Sequence, residues 1–257
     1  MIYDCFTFFN EIDILQMRLE ELGPVVDKFI IIEMNRTFQG QPKGSTIYQN
    51  RGKFGKYEGK MRTFLEECPP EITNPWEREY WQRNRIRTRI SNERPKEDDI
   101  ILVSDADEIP RRSVVEALDP QPVQSIALDA YYYGLNVSGG HCHTSRAARW
   151  SYAQTITTQE LRTLDPPPNI VYDGGWHFSY LGDADHIAEK FRSFAHFELN
   201  RPDTTNPEIL RQRMEAHADL WGDGHRYEVV EIDDTWPEAV KNNREYWSKY
   251  EWQKTLD

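Results

Sequence analysis

Apolar positions along the chain fall in short runs that switch between a strand-like and a helix-like period. Residues 2–9 read as a first strand. After Asn10, which is positioned to cap a helix with Asp13 at its third position, Ile12, Leu15, Leu19 and Leu22 recur at helical spacing. Gly23-Pro24 ends that helix, and residues 25–33 contain Phe29-Ile-Ile-Ile32, a run suited to a strand buried on both faces. Such a β-α-β opening predicts a right-handed crossover and a parallel sheet.

Residues 44–70 are basic and weakly periodic, and predict a long loop with one short strand. Asn74-Pro-Trp-Glu77 is a strong helix start, and Pro95 lies beyond the helix end near Asn92. Trp76, Tyr80, Ile86 and Ile90 share its inner face with Arg83 and Arg87, whereas Arg78, Arg85 and Arg89 point to solvent. Ile100-Ile-Leu-Val103 predicts another doubly buried strand, and Ser113-Val-Val-Glu116 a capping box.

Residues 125–136 predict a strand, with 150–157 as a loosely alternating partner. His141-Cys-His143 reads as a loop, and Asp173-Gly-Gly-Trp-His-Phe-Ser-Tyr180 as a turn whose glycines permit close approach to a ligand. Helices follow over 185–197, 206–217 and 237–253, the last a C-terminal packing helix. Without repeats or linkers, residues 1–257 predict a single α/β domain: a mixed, mostly parallel sheet flanked by helices.

Composition narrows the function classes. No apolar run approaches the roughly 20 residues of a membrane span, and a net charge of −12 argues against nucleic-acid partners. Cys5, Cys68 and Cys142 are too few and too scattered for a disulfide scaffold or zinc ribbon. With no secretory signal visible, they predict a soluble, cytoplasmic chain.

The chemistry concentrates at Ser104-Asp-Ala-Asp-Glu-Ile-Pro110, where the buried strand stops at three carboxylates. Open α/β sheets hold ligands at the carboxyl ends of their strands. There Asp105 and Asp107 can present oxygens to one hard cation such as Mn²⁺ or Mg²⁺. A phosphatase-type Asp-x-Asp-x-Thr motif is the weaker reading, since Ile109 stands where the threonine belongs. His177, in an accessible loop, is a candidate third metal ligand or phosphate contact. His196, in apolar context, reads as a core histidine. The inward Arg83 and Arg87 need an anionic partner, either a core carboxylate or a diphosphate. Asp173 is a candidate general base or simply a turn residue, with Glu198, Glu33 and Glu11 as competitors.

The ordered pieces resemble glycosyltransferase family 17, the N-acetylglucosaminyltransferase III family. They are Asp4-Cys-Phe-Thr-Phe-Phe-Asn-Glu11 with Arg18-Leu19, Thr37-Phe-Gln-Gly-Gln-Pro-Lys43, Gln82-Arg-Asn84, Ser104 to Pro110, Tyr131-Tyr-Tyr133, Gly174 to Tyr180, and Lys190 with Ser193-Phe-Ala-His196. The resemblance implies a GT-A-like fold and metal-assisted, inverting transfer from a UDP-sugar, UDP-GlcNAc in the characterised branch, to a glycan hydroxyl. It implies that Asp105 and Asp107 hold the metal, with His177 remaining the candidate third ligand on its own reading. Phe6, Asn10, Glu11, Glu33, Arg83, Asn84, Arg87 and Lys190 would then surround the donor, with Asp173 or Glu198 as base. A metal-dependent phosphate-ester or nucleotide hydrolase and a non-catalytic carbohydrate-binding protein are the alternatives.

Overall fold

A computed structural model describes residues 1–254; positions 255–257 of the expected domain lie outside the described residues. Strand β1 (Ile2–Thr7), helix α1 (Ile12–Leu22) and strand β2 (Lys28–Met34) form the expected opening, with β1 and β2 parallel. Within 44–70 lie a short helix α2 (Thr46–Asn50) and strand β3 (Met61–Glu66), parallel to β2. Helix α3 (Pro75–Asn92) leads to β4 (Ile100–Val103), which adds in parallel to the other side of β1.

The chain continues through β5 (Glu108–Pro110), α4 (Arg112–Glu116), β6 (Val123–Tyr132) and β7 (Val137–Arg149). Next come α5 (Trp150–Ala153), α6 (Thr158–Arg162), β8 (Ile170–Val171), β9 (Gly175–Ser179) and α7 (Ala184–Ser193). Helix α8 (Pro207–Glu215), strand β10 (Glu228–Val229), and helices α9 (Glu238–Asn242) and α10 (Arg244–Trp247) complete the described elements.

The ten strands among the described residues join one sheet in the order β3-β2-β1-β4-β7-β6-β9-β5, with β8 beside β6 and β10 beside β7. Strands β7 and β5 run antiparallel to their neighbours along this path; the remaining pairings on it are parallel. The mixed, mostly parallel α/β sheet is therefore as expected.

Alternation along the central strands builds a core on each face. Phe6, Phe29, Ile31 and Leu102 pack with Leu15, Leu19 and Leu22 of α1. Tyr3, Cys5, Ile30, Ile32, Ile101 and Val103 pack with Ile86 and Ile90 of α3. A third cluster joins Tyr133, Tyr180, Phe191 and Leu210 where α7 and α8 meet the far end of the sheet.

Several local expectations are corrected. Helix α1 starts one residue later than Asn10 implied, with Glu11 at its cap, and no side chain caps it. Residues 150–153 are helical; the partner of β6 is β7, which carries His141, Cys142 and His143. Serine, glycine and histidine interrupt the apolar signal of that strand, and only pairing with β6 and β4 specifies it. Ser113 and Glu116 form no capping box, whereas Thr157 and Glu160 do.

The C-terminal segment is not one helix. Asn243 leaves the helical conformation and caps α10 through Tyr246 N, so α9, α10 and a 3-10 turn at Ser248–Tyr250 follow one another. Arg78 is buried, donating to Ile72 O and Phe38 O, while Tyr80 is the more exposed residue.

Candidate active site

The loop after β4 is held from below by one arginine. Arg18, on the apolar face of α1, is fully buried and forms a bidentate pair with Asp4 of β1, Nε to Oδ2 at 2.7 Å and Nη2 to Oδ1 at 2.5 Å. Its remaining donors reach Ser104 Oγ at 2.5 Å and the carbonyls of Asp105 at 2.9 Å, Ala106 at 3.3 Å and Glu108 at 2.6 Å. A buried charge is tolerable only when paired and fully hydrogen-bonded. Those same bonds fix the backbone from which Asp105 and Asp107 project.

Above this loop each carboxylate meets cations. Asp105 Oδ1 accepts from Arg83 Nη2 at 3.1 Å and Oδ2 from Arg162 Nη2 at 2.6 Å. Asp107 Oδ2 accepts from Lys190 Nζ at 3.1 Å, and Oδ1 lies 3.6 Å from His177 Nε2. Burial opposes ionisation of Asp107, but Lys190 and His177 outweigh it and lower its pKa. Burial likewise disfavours the charged His177, yet Asp107 beside it, with Cys142 and Glu108, raises its pKa to about 9.

Glu108 sits beneath, its carboxylate bound by Arg162, Thr144 Oγ1, Ser145 Oγ and Asp105 N. Burial again works against its charge, and Arg162 more than compensates, leaving its pKa well below the ordinary carboxylate range.

Strand pairing brings His177 here. In the β5–β9 register Glu108 faces His177 and Pro110 faces Gly175, and Phe178 N donates to Asp107 O at 2.9 Å. The expected glycine-rich turn is therefore the start of a strand. Its glycines make room for the protein's own backbone: a Cβ on Gly174 would lie 2.6 Å from Ala127 O, and one on Gly175 2.2 Å from Ile109 O.

Asp105, Asp107, His177, Lys190, Arg83 and Glu11 all open onto one cavity of about 290 Å³. Phe38, Trp76 and His196 also line it, the rings of Trp76 and His196 meeting in a T-shaped arrangement at a centroid distance of 4.3 Å. His196 is thus half-exposed in the site, not a core residue.

Carboxylate and imidazole are donor types that Mn²⁺ or Mg²⁺ accepts; here Asp105 pairs with Arg83 and Arg162, and Asp107 with Lys190 and His177, so a cation would have to displace those partners. To ligate, His177 must first release its proton. A tighter group, Glu108, Cys142 and His177, brings one ligand atom from each within 4.8 Å of the others. There Glu108 is already engaged by Arg162 and Thr144, which makes that group a closed ion-pair network.

Other expected site residues lie elsewhere. Asp173, with a backbone φ of +52°, forms an exposed pair with Arg111 at 3.0 Å and does not line the cavity. Glu198 is exposed and reaches the cavity only through His196, whose Nδ1 lies 2.7 Å from its Oε1. Phe6 is core, beneath the Arg18 guanidinium. Glu33 is buried and fastened to Lys43, Ser45 and the amides of Thr46 and Ile47.

Arg83 has the carboxylate partners, Glu79 and Asp105, that an inward arginine requires. Arg87 donates to Ile156 O, and Asn84 accepts from Gln159 N; both orient the segment around α6. Asn10 lines a second cavity.

Arg162 is a residue at the site that the motifs did not single out, and Arg18 entered only within the family resemblance, without a role. Arg18 lies three residues after Leu15 and four before Leu22, so the argument that flagged Arg83 also applies to it. Arg162 carries no comparable signal, lying in a five-residue helix far along the chain.

The family model described as "Glycosyltransferase family 17" matches residues 1–222. The beta-1,4-mannosyl-glycoprotein 4-beta-N-acetylglucosaminyltransferase of Homo sapiens is 34% identical over 115 residues, 41% of this chain and 21% of that protein. The enzyme of the same name from Rattus norvegicus matches over the same shares at 34% identity. The match thus spans about a fifth of those relatives' length.

Among solved structures, a 4-diphosphocytidyl-2C-methyl-D-erythritol synthase aligns with 66% of this chain and 88% of its own at 12% identity, with a TM-score of 0.41. A glycosyltransferase involved in glycosylation of the major capsid of PBCV-1 aligns with 66% of this chain and 80% of its own at 11% identity, with a TM-score of 0.28. With the family model covering most of the residues that build the cavity and its support, the chain belongs to glycosyltransferase family 17.

Proposed function

We propose that this chain moves a sugar, N-acetylglucosamine, from UDP-GlcNAc to a glycan hydroxyl, with metal assistance and inversion at the anomeric carbon. The observation that carries the reading is the convergence of Asp105, Asp107 and His177 with Lys190 and Arg83 on one cavity. A nucleotide-sugar diphosphate needs clustered positive charge, and the leaving UDP gains negative charge as the sugar–phosphate bond breaks.

Lys190 and Arg83 are cations of the chain at that point, Arg162 holds Asp105 beside them, and Arg36 and Lys43 line the same cavity. Asp105 and Asp107, with His177 once deprotonated, would hold Mn²⁺ or Mg²⁺, which supplies Lewis-acid charge to the departing diphosphate when bound. The aromatic wall of Phe38 and Trp76 offers ring faces for the base or sugar.

The test is release of UDP from UDP-GlcNAc, with and without Mn²⁺, by the wild type and by Asp105→Asn and Asp107→Asn. Metal-stimulated release by the wild type, lost in both variants, is expected. Wild-type turnover in both variants would overturn the metal assignment. Cleavage of simple phosphodiesters with no release from any UDP-sugar would favour a hydrolase.

A further inference from the structure

Four carboxylates line the cavity, and three are committed: Glu79 to Arg83, Asp105 to Arg83 and Arg162, and Asp107 to Lys190 and His177. Glu11 is the fourth. Among the described residues it forms no ion pair, and only one of its oxygens, Oε2, is hydrogen-bonded, by Phe9 N at 3.2 Å and Asn10 N at 3.0 Å. Those bonds fix the side chain at the start of α1 and leave Oε1 available as an acceptor.

Glu11 also lines a second cavity, of about 810 Å³, between the start of α1, the start of α7 and the C-terminal segment. This cavity differs in chemistry from the first. The half-buried rings of Tyr250 and Trp252 line it beside exposed donors and acceptors, among them Arg211 and Asp185. Sugars match such a lining, since their C–H faces pack on aromatic rings while each hydroxyl both donates and accepts.

We propose that this second cavity is the acceptor subsite and that Glu11 is the general base. The inference rests on the transferase reading above and adds the acceptor side to it. An acceptor glycan lying in the cavity directs a hydroxyl past Glu11 toward the donor. The hydroxyl proton passes to Glu11 Oε1 and the oxygen forms a bond to the anomeric carbon. The bond from that carbon to the diphosphate oxygen breaks, and UDP leaves with the electron pair.

Three measurements test the inference separately from the reading beneath it. A thermal shift with UDP-GlcNAc and Mn²⁺ reports donor binding alone; no shift in the wild type would remove the transferase reading and this inference with it. Glu11→Gln is expected to keep that shift and lose at least 100-fold in UDP release; release within threefold of wild type would overturn the base. On a glycan array, wild-type protein is expected to retain a defined set of glycans. Asp185→Asn and Arg211→Ala should weaken that retention at least tenfold, with an unchanged donor shift. Equal retention by the variants, or none by the wild type, would overturn the subsite.

Discussion

Lys190, in the last turn of α7, places its ammonium 3.1 Å from Asp107 Oδ2, joining the far end of the chain to the loop after β4. The pair does two things at once. It offsets a buried carboxylate that would otherwise be costly, and it sets a cation at the wall of the 290 Å³ cavity.

If Asp107 holds the metal as proposed, replacing Lys190 with Met is expected to lower kcat/KM for the proposed donor UDP-GlcNAc by about 10- to 100-fold, the range for groups that orient a metal ligand. Steady-state UDP release measures it. A change below threefold would mean the ammonium contributes little to donor chemistry.

Arg18 and Asp4 form a fully buried pair at the base of the same loop. Arg18→Met leaves Asp4 unpaired and should cost about 3–5 kcal/mol of stability, read from urea unfolding. Asp4→Leu combined with Arg18→Met should recover part of that loss, because no isolated charge remains. Arg18→Lys should not restore it, since an ammonium cannot supply both the bidentate pair and the three carbonyl contacts.

Gly175 has a φ of +148°, and its position admits no side chain. Gly175→Ala should destabilise by about 1–3 kcal/mol from backbone strain alone, and by more where β5 must move away. Because β9 carries His177, UDP release should fall with it. An unchanged denaturation midpoint would refute this account.

Asp219 is buried in a turn, its Oδ1 accepting from Trp221 N, Gly222 N and Asp223 N and its Oδ2 from His225 N at 2.8 Å. Burial raises the cost of its charge, but the amides of Asp223, Gly222 and His225 more than offset it and lower its pKa. The group binds its proton less readily folded than unfolded. Its stabilisation is therefore full above the unfolded value of about 4 and is lost as pH falls through the lower folded value. Asp219→Asn should remove that part of the acid dependence and cost about 1–3 kcal/mol near neutral pH. Urea midpoints at neutral and acidic pH measure both effects.

Much of the fold can be read from local pattern. The β-α-β opening, the Asn74-capped helix and the strand that ends just before Asp105 all follow from period, caps and turn residues, which act over a few positions. The same local signals identify Asp105, Asp107 and His177 as the residues to watch, and the family resemblance adds Lys190. All four line the one cavity.

Tertiary structure decided what each of them meets. No spacing along the chain shows that Glu108 pairs in register with His177, that Arg162 closes over Asp105, or that Asp173 turns away to Arg111. Strand register and helix docking depend on burial summed over the whole sheet, and ion pairs between residues 54 to 83 positions apart exist only once that sheet forms. The sequence determined which groups carry charge at the end of a buried strand. The packed fold determined their partners, and left Glu11 as the uncommitted carboxylate between two cavities.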